Sequence, residues 1–355
     1  MRPGSVPDPQ LARRGDSFVQ IAFASMAPAS RLGLIFAGGP SVPEMVAISR
    51  RAEDRGFDSI WVAETRLTRD GFVPLAAIGS ATSKISIATG IVPVFTRPPV
   101  VLAISFRALA EVAPGRVKMG IGTGSPRILE MQGIPFERPL TRLREYCEVL
   151  PALMGGESVT YHGETFTLES ARIEDVLSDD ATPPDPPPLW LGVTGPRALQ
   201  LAGRVADGVL LNVCLGPDYV RRRLPLLREA AGACGRSSDE IEVGMGIVCS
   251  PDDDASLGRA RARRFVALYL SLFPNVACET GLDEELISAV RCAFEQHGLD
   301  AAITQMGSDP VERLAAAGTS AQVRDRLDGY RESGVDLPVL VPVEGALEAV
   351  LALCD

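Results

Sequence analysis

Eight short apolar segments, each ending in small or polar residues, limit most strongly the folds that this chain can adopt. They are almost continuously apolar, as is typical of parallel strands that are buried on both faces. Between them lie helical patterns, such as Pro43–Arg55, in which Met45, Ile48 and Ala52 share one face. Eight alternations of strand and helix predict an α/β fold, a closed (β/α)8 TIM barrel, with a doubly wound open sheet as the alternative. The predicted strands are Leu32–Ala37, Ser59–Ala63, Ile85–Val94, Val117–Ile121, Leu189–Val193, Gly208–Leu211, Ile241–Val248 and Leu337–Val343.

Two connections are longer than a single helix requires, and they predict insertions after the fourth and seventh strands. The first spans about residues 155–188 and contains a hairpin pattern at Val159–Phe166. The second spans about residues 252–335 and is mostly helical, with one long segment at Ala255–Phe273. Insertions at the carboxyl face of a barrel commonly form a lid or a substrate wall. We expect one barrel domain over residues 31–355.

The first thirty residues are expected to form a flexible N-terminal extension. Arg13 and Arg14 precede a moderately apolar stretch, Phe18–Ala29, which is similar to a twin-arginine export signal. The apolar part is short and is interrupted by Gln20, which weighs against export. Since no run of eighteen apolar residues occurs in the sequence, neither a transmembrane helix nor a membrane partner is expected.

The charge, cysteine and histidine content exclude several classes of function. The formal net charge is -10, whereas a nucleic-acid surface needs clustered Lys and Arg, so no nucleic-acid partner is expected. The seven cysteines form no CxxC pair, which is typical of reduced thiols in a cytoplasmic protein. Because the only histidines are His162 and His297, neither a histidine-based metal centre nor a Ser-His-Asp triad is expected.

The carboxyl ends of the predicted strands carry mainly glycine and small hydroxyl residues. Ligands bind and chemistry occurs at this face of an α/β barrel. Glu64 is the only carboxylate among these ends, so the paired acids of a glycosidase and the acidic cage of a metal site are both missing. What remains is suited to a large planar cofactor that brings its own reactivity. The candidate cofactor-binding residues lie within the carboxyl-terminal parts of the third, fourth and fifth strands or directly after them, and are Thr89, Gly90, Ile91, Gly122, Thr123, Gly124, Ser125, Gly192, Val193, Thr194 and Gly195.

Each of these features also has a purely structural interpretation. The run Gly120–Ser125 is either a backbone shelf for a flat ligand or a tight strand-to-helix turn. The sequence Thr194-Gly195-Pro196 either starts a helix whose free N–H groups attract phosphate, or simply caps that helix well. Glu64, the candidate catalytic residue, either hydrogen-bonds the cofactor ring or relays a proton, or else caps the next helix.

Six stretches, taken in their order along the chain, are more specific than any single motif. They are Ala47–Glu64 (AISRRAEDRGFDSIWVAE), Ala88–Pro98 (ATGIVPVFTRP), Val117–Ser125 (VKMGIGTGS), Val159–Leu168 (VTYHGETFTL), Leu191–Asn212 (LGVTGPRALQLAGRVADGVLLN) and Gly318–Val341 (GTSAQVRDRLDGYRESGVDLPVLV). In these six stretches taken together, the chain resembles the bacterial luciferase-like superfamily, in particular the deazaflavin-dependent branch that includes methylenetetrahydromethanopterin reductase.

The resemblance implies a (β/α)8 barrel that binds coenzyme F420, or alternatively FMN, at its carboxyl face. A non-prolyl cis peptide in the third strand backs the cofactor ring in this family, and the position corresponds to Gly90–Ile91. By the same resemblance, Gly122–Ser125 line the ring and the ribityl chain. Gly192–Gly195, with Pro196, receive the phosphate.

The chain departs from the family at two positions. Members frequently carry an acid followed by histidine after the second strand, whereas this chain has Glu64 followed by Thr65. The sugar-phosphate dehydrogenase branch has a glutamate where Ser125 stands. Activity toward sugar phosphates is therefore not expected.

Three functions follow from these observations. The first is a cytoplasmic F420-dependent oxidoreductase that moves hydride between the deazaflavin and a small organic substrate. The second is an FMN-dependent monooxygenase that works with a separate flavin reductase. The third is a non-catalytic protein that holds a flavin or deazaflavin. The expected partners are the small-molecule substrate and a second copy of the chain in a homodimer.

Overall fold

Eight parallel strands close into a barrel within residues 31–64, 67–174 and 185–354, which the computed structural model describes. Neighbouring barrel strands follow one another along the chain, and the last pairs with the first, with Gly33 opposite Val339. The predicted (β/α)8 barrel is confirmed, and the open sheet is wrong. The predicted extension at residues 1–30, Thr65 and residues 175–184 of the predicted first insertion lie outside the described residues.

The barrel uses eight segments of the chain, the third of which is split into two short strands. The strands are β1 (Gly33–Phe36), β2 (Ser59–Val62), β3 (Ser86–Thr89), β4 (Val92–Pro93), β5 (Val117–Gly122), β6 (Val159–His162), β7 (Thr167–Ala171), β8 (Leu189–Val193), β9 (Gly208–Leu211), β10 (Glu242–Pro251), β11 (Ala315–Gly318) and β12 (Leu337–Pro342). In ring order, the barrel consists of β1, β2, β3 with β4, β5, β8, β9, β10 and β12.

Helices surround the barrel and fill the two long connections. They are α1 (Val42–Asp54), α2 (Phe72–Ala81), α3 (Pro99–Val112), α4 (Pro126–Met131), α5 (Pro139–Met154), α6 (Pro196–Val205), α7 (Pro217–Ala233), α8 (Ala255–Leu272), α9 (Pro274–Ala277), α10 (Glu284–His297), α11 (Leu299–Met306), α12 (Asp309–Leu314), α13 (Ser320–Glu332) and α14 (Leu347–Leu351). Helices α4 and α5 and the hairpin β6–β7 lie between β5 and β8. Helices α8 to α13 and strand β11 lie between β10 and β12.

The additional strand β11 extends the sheet beyond the closed ring. It pairs in parallel with the end of β10, from Val248 opposite Ala315 to Pro251 opposite Gly318. Its sequence, AAAG, contains no β-branched or aromatic residue, so its local pattern does not predict a strand.

The barrel interior is filled by large apolar side chains around the two tryptophans of the chain. The rings of Trp61 and Trp190 meet edge to face with centroids 5.0 Å apart, and both are fully buried. Glycines make room for them: a Cβ atom at Gly208 would lie 2.3 Å from the Trp190 ring. The barrel is therefore a packed core and not a channel.

An ion-pair cluster lies at the amino ends of the barrel strands. Arg31 bonds to Asp58 at 2.8 Å and to Glu242 at 2.7 Å. Lys118 approaches Glu242 at 3.1 Å and lies 4.6 Å from the centroid of the Trp190 ring. These contacts tie together the segments that begin four barrel strands.

No helix in the described part of the chain combines the length and the apolarity that a membrane span requires.

Candidate functional site

A cavity of about 260 Å³ lies at the carboxyl ends of the barrel strands. Nine of the predicted cofactor-binding residues line it, namely Gly90, Ile91, Thr123, Gly124, Ser125, Gly192, Val193, Thr194 and Gly195. Thr89, Gly122 and the predicted catalytic Glu64 do not contribute to its lining. The structure thus brings together most, but not all, of the residues that the sequence singled out.

The third barrel strand is irregular where it reaches the cavity. Between the pairs Ile87–Val117 and Val92–Ile121, this strand advances five residues while β5 advances four, so one extra residue is accommodated. The peptide bond between Gly90 and Ile91 is cis, as the resemblance implied. Both residues line the cavity, so the bulge presents backbone as well as the Ile91 side chain to a ligand.

Thr89 stabilises this irregularity from below the cavity. Its hydroxyl donates to the Gly120 carbonyl at 2.6 Å and accepts from the Gly120 N–H at 3.0 Å. A Cβ at position 120 would lie only 1.8 Å from the Thr89 carbonyl oxygen, so no other residue fits there. Thr89 therefore joins two strands and does not itself contact the cavity.

Two of the predicted ligand glycines make room for Ile91. A Cβ at Gly192 would lie 2.7 Å from Ile91 Cγ2, and one at Gly122 would lie 3.1 Å from Ile91 Cγ1. Gly124 has a φ of +71°, a conformation that favours glycine, and its turn leads into α4. These three glycines shape the backbone of the site.

Gly195 differs from the other predicted cofactor-binding glycines because the position that a side chain would occupy there is open space. A Cβ at this position would meet no atom within 4 Å. The turn is held in place by the buried Tyr219, whose hydroxyl donates to the Thr194 carbonyl at 2.6 Å. The first described bond of α6 into this turn is from Leu199 N–H to the Gly195 carbonyl. Amide groups before Leu199 are therefore available to an anion, as at other helix starts.

Glu64 is held in a hydrogen-bonded ion pair beside the bulge. Its carboxylate accepts from the Gly71 N–H at 2.7 Å, from Thr96 Oγ1 at 3.1 Å, and from the Arg97 guanidinium. Its side chain is 10% exposed and that of Arg97 19%. Glu64 N–H also donates to the Ile91 carbonyl at 3.1 Å. The contact with Gly71, which precedes α2, agrees with the capping alternative, and the other bonds brace the bulge.

The sequence did not identify an aromatic ladder on α8 that forms another part of the lining. Phe265, Tyr269 and Phe273 all line the cavity. The ring centroids of Phe265 and Tyr269 are 5.9 Å apart, and those of Tyr269 and Phe273 are 4.4 Å apart. Their spacing of four residues on a predicted helix is a signal that was present in the sequence.

A polar pair lies beside this aromatic ladder. The Tyr269 hydroxyl donates to Asn212 Oδ1 at 2.6 Å, and the Val213 N–H donates to the same oxygen at 2.9 Å. Asn212 directly follows the predicted sixth strand, Gly208–Leu211, but the sequence assigned it no role. Together, Tyr269 and Asn212 give the apolar side of the cavity a hydrogen-bonding point.

The described lining contains almost no ionisable side chain. It includes no Asp, Glu, His, Lys, Arg or Cys, and Tyr269 is its only titratable group. Within the described ranges, no group of three or more His, Cys, Asp or Glu side chains could hold a metal ion. The described residues therefore offer this cavity backbone N–H groups, hydroxyls, side-chain amides and aromatic rings, and among them there is no strong acid or base.

Comparisons with known proteins agree with this geometry. The family model described as "Luciferase-like monooxygenase" matches residues 18–337. The 5,10-methylenetetrahydromethanopterin reductase of Methanolobus tindarius is 27% identical over 307 residues, which are 85% of this chain and 91% of that protein. The F420-dependent glucose-6-phosphate dehydrogenase of Nakamurella multipartita is 30% identical over 263 residues, 70% of this chain and 75% of that protein.

A solved structure has the same fold. The coenzyme F420-dependent tetrahydromethanopterin reductase from Methanopyrus kandleri superposes with a TM-score of 0.80 at 25% identity, covering 91% of this chain and 96% of that one. The family match spans most of the barrel, and the fold and the strand-end cavity agree with it. This chain belongs to the luciferase-like monooxygenase family.

Proposed function

We propose that this chain is a coenzyme F420-dependent oxidoreductase that transfers hydride between the deazaflavin and a small organic substrate. The observation that carries the proposal is the cavity, whose described lining holds no carboxylate, imidazole, amine or thiol. Chemistry there requires a reactant with its own reactivity. Two of the similar proteins, the N. multipartita dehydrogenase and the M. kandleri reductase, are F420-dependent enzymes.

The residues present fit a flat cofactor with an anionic tail. The bulge at Gly90–Ile91 and the turn Thr123–Ser125 present backbone and small side chains to the cavity, where a planar ring can lie close. The open space beside Gly195 and the amides at the start of α6 are suited to a phosphate group. Bound F420 supplies the hydride chemistry at C5 of its ring, while the protein orients the reactants and excludes water.

Equilibrium binding of the purified protein to F420 and to FMN tests the proposal. Intrinsic fluorescence is a suitable signal because Trp61 lies directly below the bulge: a Cβ at Gly90 would be 3.3 Å from its ring. We expect a lower Kd for F420 than for FMN. FMN binding tighter by tenfold or more would instead favour the FMN-dependent monooxygenase that works with a flavin reductase. Failure to bind either cofactor would contradict both proposals.

Turnover separates the enzyme from a non-catalytic cofactor-binding protein. The loaded, reduced protein is mixed with a panel of small carbonyl and unsaturated compounds, and cofactor reoxidation is followed without oxygen. Reoxidation by at least one compound is expected of the oxidoreductase. If no compound causes it while the cofactor stays bound, the non-catalytic alternative is preferred.

We also propose that the chain forms a homodimer through the outer face of α2 and α3. Helix α2 contains no charged residue, and α3 contains two, the buried Arg107 and the exposed Glu111. Val73, Val101 and Ile104 are 64%, 46% and 48% exposed on this face. This face is mainly apolar, with Glu111 near the end of α3, and such a surface can pack against its own copy across a two-fold axis.

A cytoplasmic location remains part of the proposal. It is supported by the seven cysteines, none of which forms a disulfide with another, as in reducing compartments.

A further inference from the structure

The substrate class is indicated by the part of the cavity that strand β9 and helix α8 build. Phe265 and Tyr269 lie one turn apart on α8, Phe273 directly follows its last turn, and all three residues line the cavity. The Phe265 and Tyr269 rings are nearly parallel, with an angle of 11° between their planes. A flat, unsaturated molecule gains both area burial and ring contacts against such a wall, whereas a saturated one gains only the burial.

Asn212 supplies one directed hydrogen-bond donor beside the rings. Its Oδ1 accepts from the Val213 N–H and from the Tyr269 hydroxyl, which fixes the orientation of the amide. No described residue accepts a hydrogen bond from Nδ2 of Asn212, although the residue lines the cavity. This amide group can therefore donate to a carbonyl oxygen or another neutral acceptor of a ligand.

The absence of charge among the described lining residues limits the ligand further. A carboxylate or ammonium group that enters this part of the cavity loses its hydration and finds no opposite charge on the described lining residues. A neutral acceptor loses much less, and its loss is offset by the Asn212 amide.

We propose that this site binds an uncharged, planar, unsaturated substrate with one hydrogen-bond acceptor, which lies on the Phe265–Tyr269–Phe273 ladder with its acceptor on Asn212. The inference rests on the proposed function. In that function the cofactor occupies one part of the cavity, and the substrate that exchanges hydride with it occupies the rest. The inference assigns the aromatic ladder to the substrate and not to the cofactor.

Three small probes test the proposed substrate class, and two of them each differ from the first in one property. Acetophenone is planar and neutral, benzoate has the same ring with a negative charge, and acetylcyclohexane has the same carbonyl without the planar ring. Calorimetric titration is carried out on the protein alone and on the protein loaded with F420. We expect acetophenone to bind at least tenfold more tightly than either of the other two. Equal or tighter binding of benzoate or acetylcyclohexane, or no binding of acetophenone, would overturn the substrate class.

Variants then locate the binding site. Phe265→Leu removes one ring at similar volume, and Asn212→Leu removes the donor. Each is expected to weaken acetophenone binding by about fivefold or more and to change the Kd of F420 by less than twofold. Phe294→Leu on α10, outside the described lining, is the matched control and should leave both affinities unchanged.

The outcomes separate the two proposals. If F420 does not bind while acetophenone is still preferred by the protein alone, the proposed function fails and the substrate class stands. If Phe265→Leu weakens F420 and acetophenone equally in a folded protein, the ladder serves the cofactor and the substrate assignment is wrong. Circular dichroism of each variant establishes that it is folded. Should Asn212→Leu not fold, Tyr269→Phe, which keeps the ring but removes the bond to Asn212, replaces it with the same expected direction.

Discussion

Individual glycines at the strand ends have different roles in the structure, although the sequence pattern does not distinguish between them. Gly122 and Gly192 leave room for Ile91, whereas the side of Gly195 faces open space. The sequence predicts that small residues gather at this face, because they follow buried strands. It does not reveal which of them contact a neighbouring chain segment, since that depends on the register between strands β3, β5 and β8.

Gly195→Asp tests the proposed phosphate site. The backbone at Gly195 is extended, with φ of −80°, and its side is open, so an aspartate fits without displacing an atom. Its negative charge would repel an anionic group at the start of α6. We expect F420 affinity to fall about tenfold to a hundredfold, or about 1.4 to 2.8 kcal/mol, with little change in barrel stability.

Gly195→Asn is the matched control for that variant, since it adds the same bulk without the charge. The loss with Asn should be several times smaller than with Asp, and turnover of the Asp variant should recover at saturating cofactor. Unchanged affinity in a folded Gly195→Asp protein would show that the phosphate lies elsewhere.

Glu64→Gln tests whether Glu64 is a catalytic or a positioning residue. The change removes the charge that compensates the mostly buried Arg97, and breaking such a pair costs on the order of 3 kcal/mol. We therefore expect a lower free energy of unfolding in urea, together with weaker cofactor binding because the bulge is less well held. The double variant with Arg97→Met should recover part of the stability, since it removes the unpaired charge.

The opposite result would restore the catalytic interpretation of Glu64. In that case Glu64→Gln would abolish turnover, with the stability and the cofactor Kd both unchanged. The sequence could not decide between these roles, because the partners Gly71, Thr96 and Arg97 belong to two other segments of the chain.

At the scale of elements, the strands of the barrel are predictable because both of their faces are buried. The apolar runs at 59–63, 189–193 and 208–211 match β2, β8 and β9 to within one residue. The third run, Ile85–Val94, predicts one strand, whereas the structure interrupts it at the bulge between β3 and β4. The aromatic ladder on α8 was not predicted as part of the site, because local periodicity does not specify which insertion helix folds over the carboxyl face.

The hairpin β6–β7 is anchored to α5 by a buried carboxylate. Glu145 accepts from the Glu164 N–H at 2.6 Å, from the Thr165 N–H at 3.1 Å and from the Thr165 hydroxyl at 2.5 Å. Burial raises the pKa of Glu145, but these hydrogen bonds outweigh it and hold the pKa below the ordinary value. A lowered pKa stabilises the folded hairpin above the ordinary value of about 4.3, and this contribution is lost as the pH falls through the folded pKa.

Glu145→Gln should therefore loosen the hairpin at neutral pH but not in acid. Replacing the charged acceptor costs about 2 kcal/mol at pH 7. Hydrogen exchange of residues 159–171 should be faster in the variant than in the native protein, and the ratio of the two rates should approach one as the pH falls below the folded pKa of Glu145. Glu157→Gln, at an exposed position on the same connection, should show no such difference. A ratio that is independent of pH would contradict the assignment.

At the scale of the whole molecule, the two ends of the barrel are built differently. The amino end is tied by the cluster of Arg31, Asp58, Lys118 and Glu242, and the interior is filled by Trp61 and Trp190. The carboxyl end carries the bulge, the glycine-rich turns and the aromatic ladder around a cavity. Stability and binding are thus assigned to opposite ends, so variants around the cavity are expected to affect binding more than folding.

The outer face of α2 and α3 determines the predicted oligomeric state. Val101, Ile104 and Val112 follow one another along α3 and are 46%, 48% and 38% exposed, next to Val73 of α2. A standard interface buries about 800 Å² on each partner, an area that two adjacent helices of this length can provide.

We expect the protein to sediment as a dimer at micromolar concentration, and Ile104→Glu to sediment as a folded monomer, because two opposed carboxylates would be buried near the two-fold axis. Leu257→Glu introduces the same charge at an exposed apolar residue of α8 and should remain dimeric. A native protein that sediments as a monomer, or an Ile104→Glu protein that stays dimeric, would exclude this face as the interface.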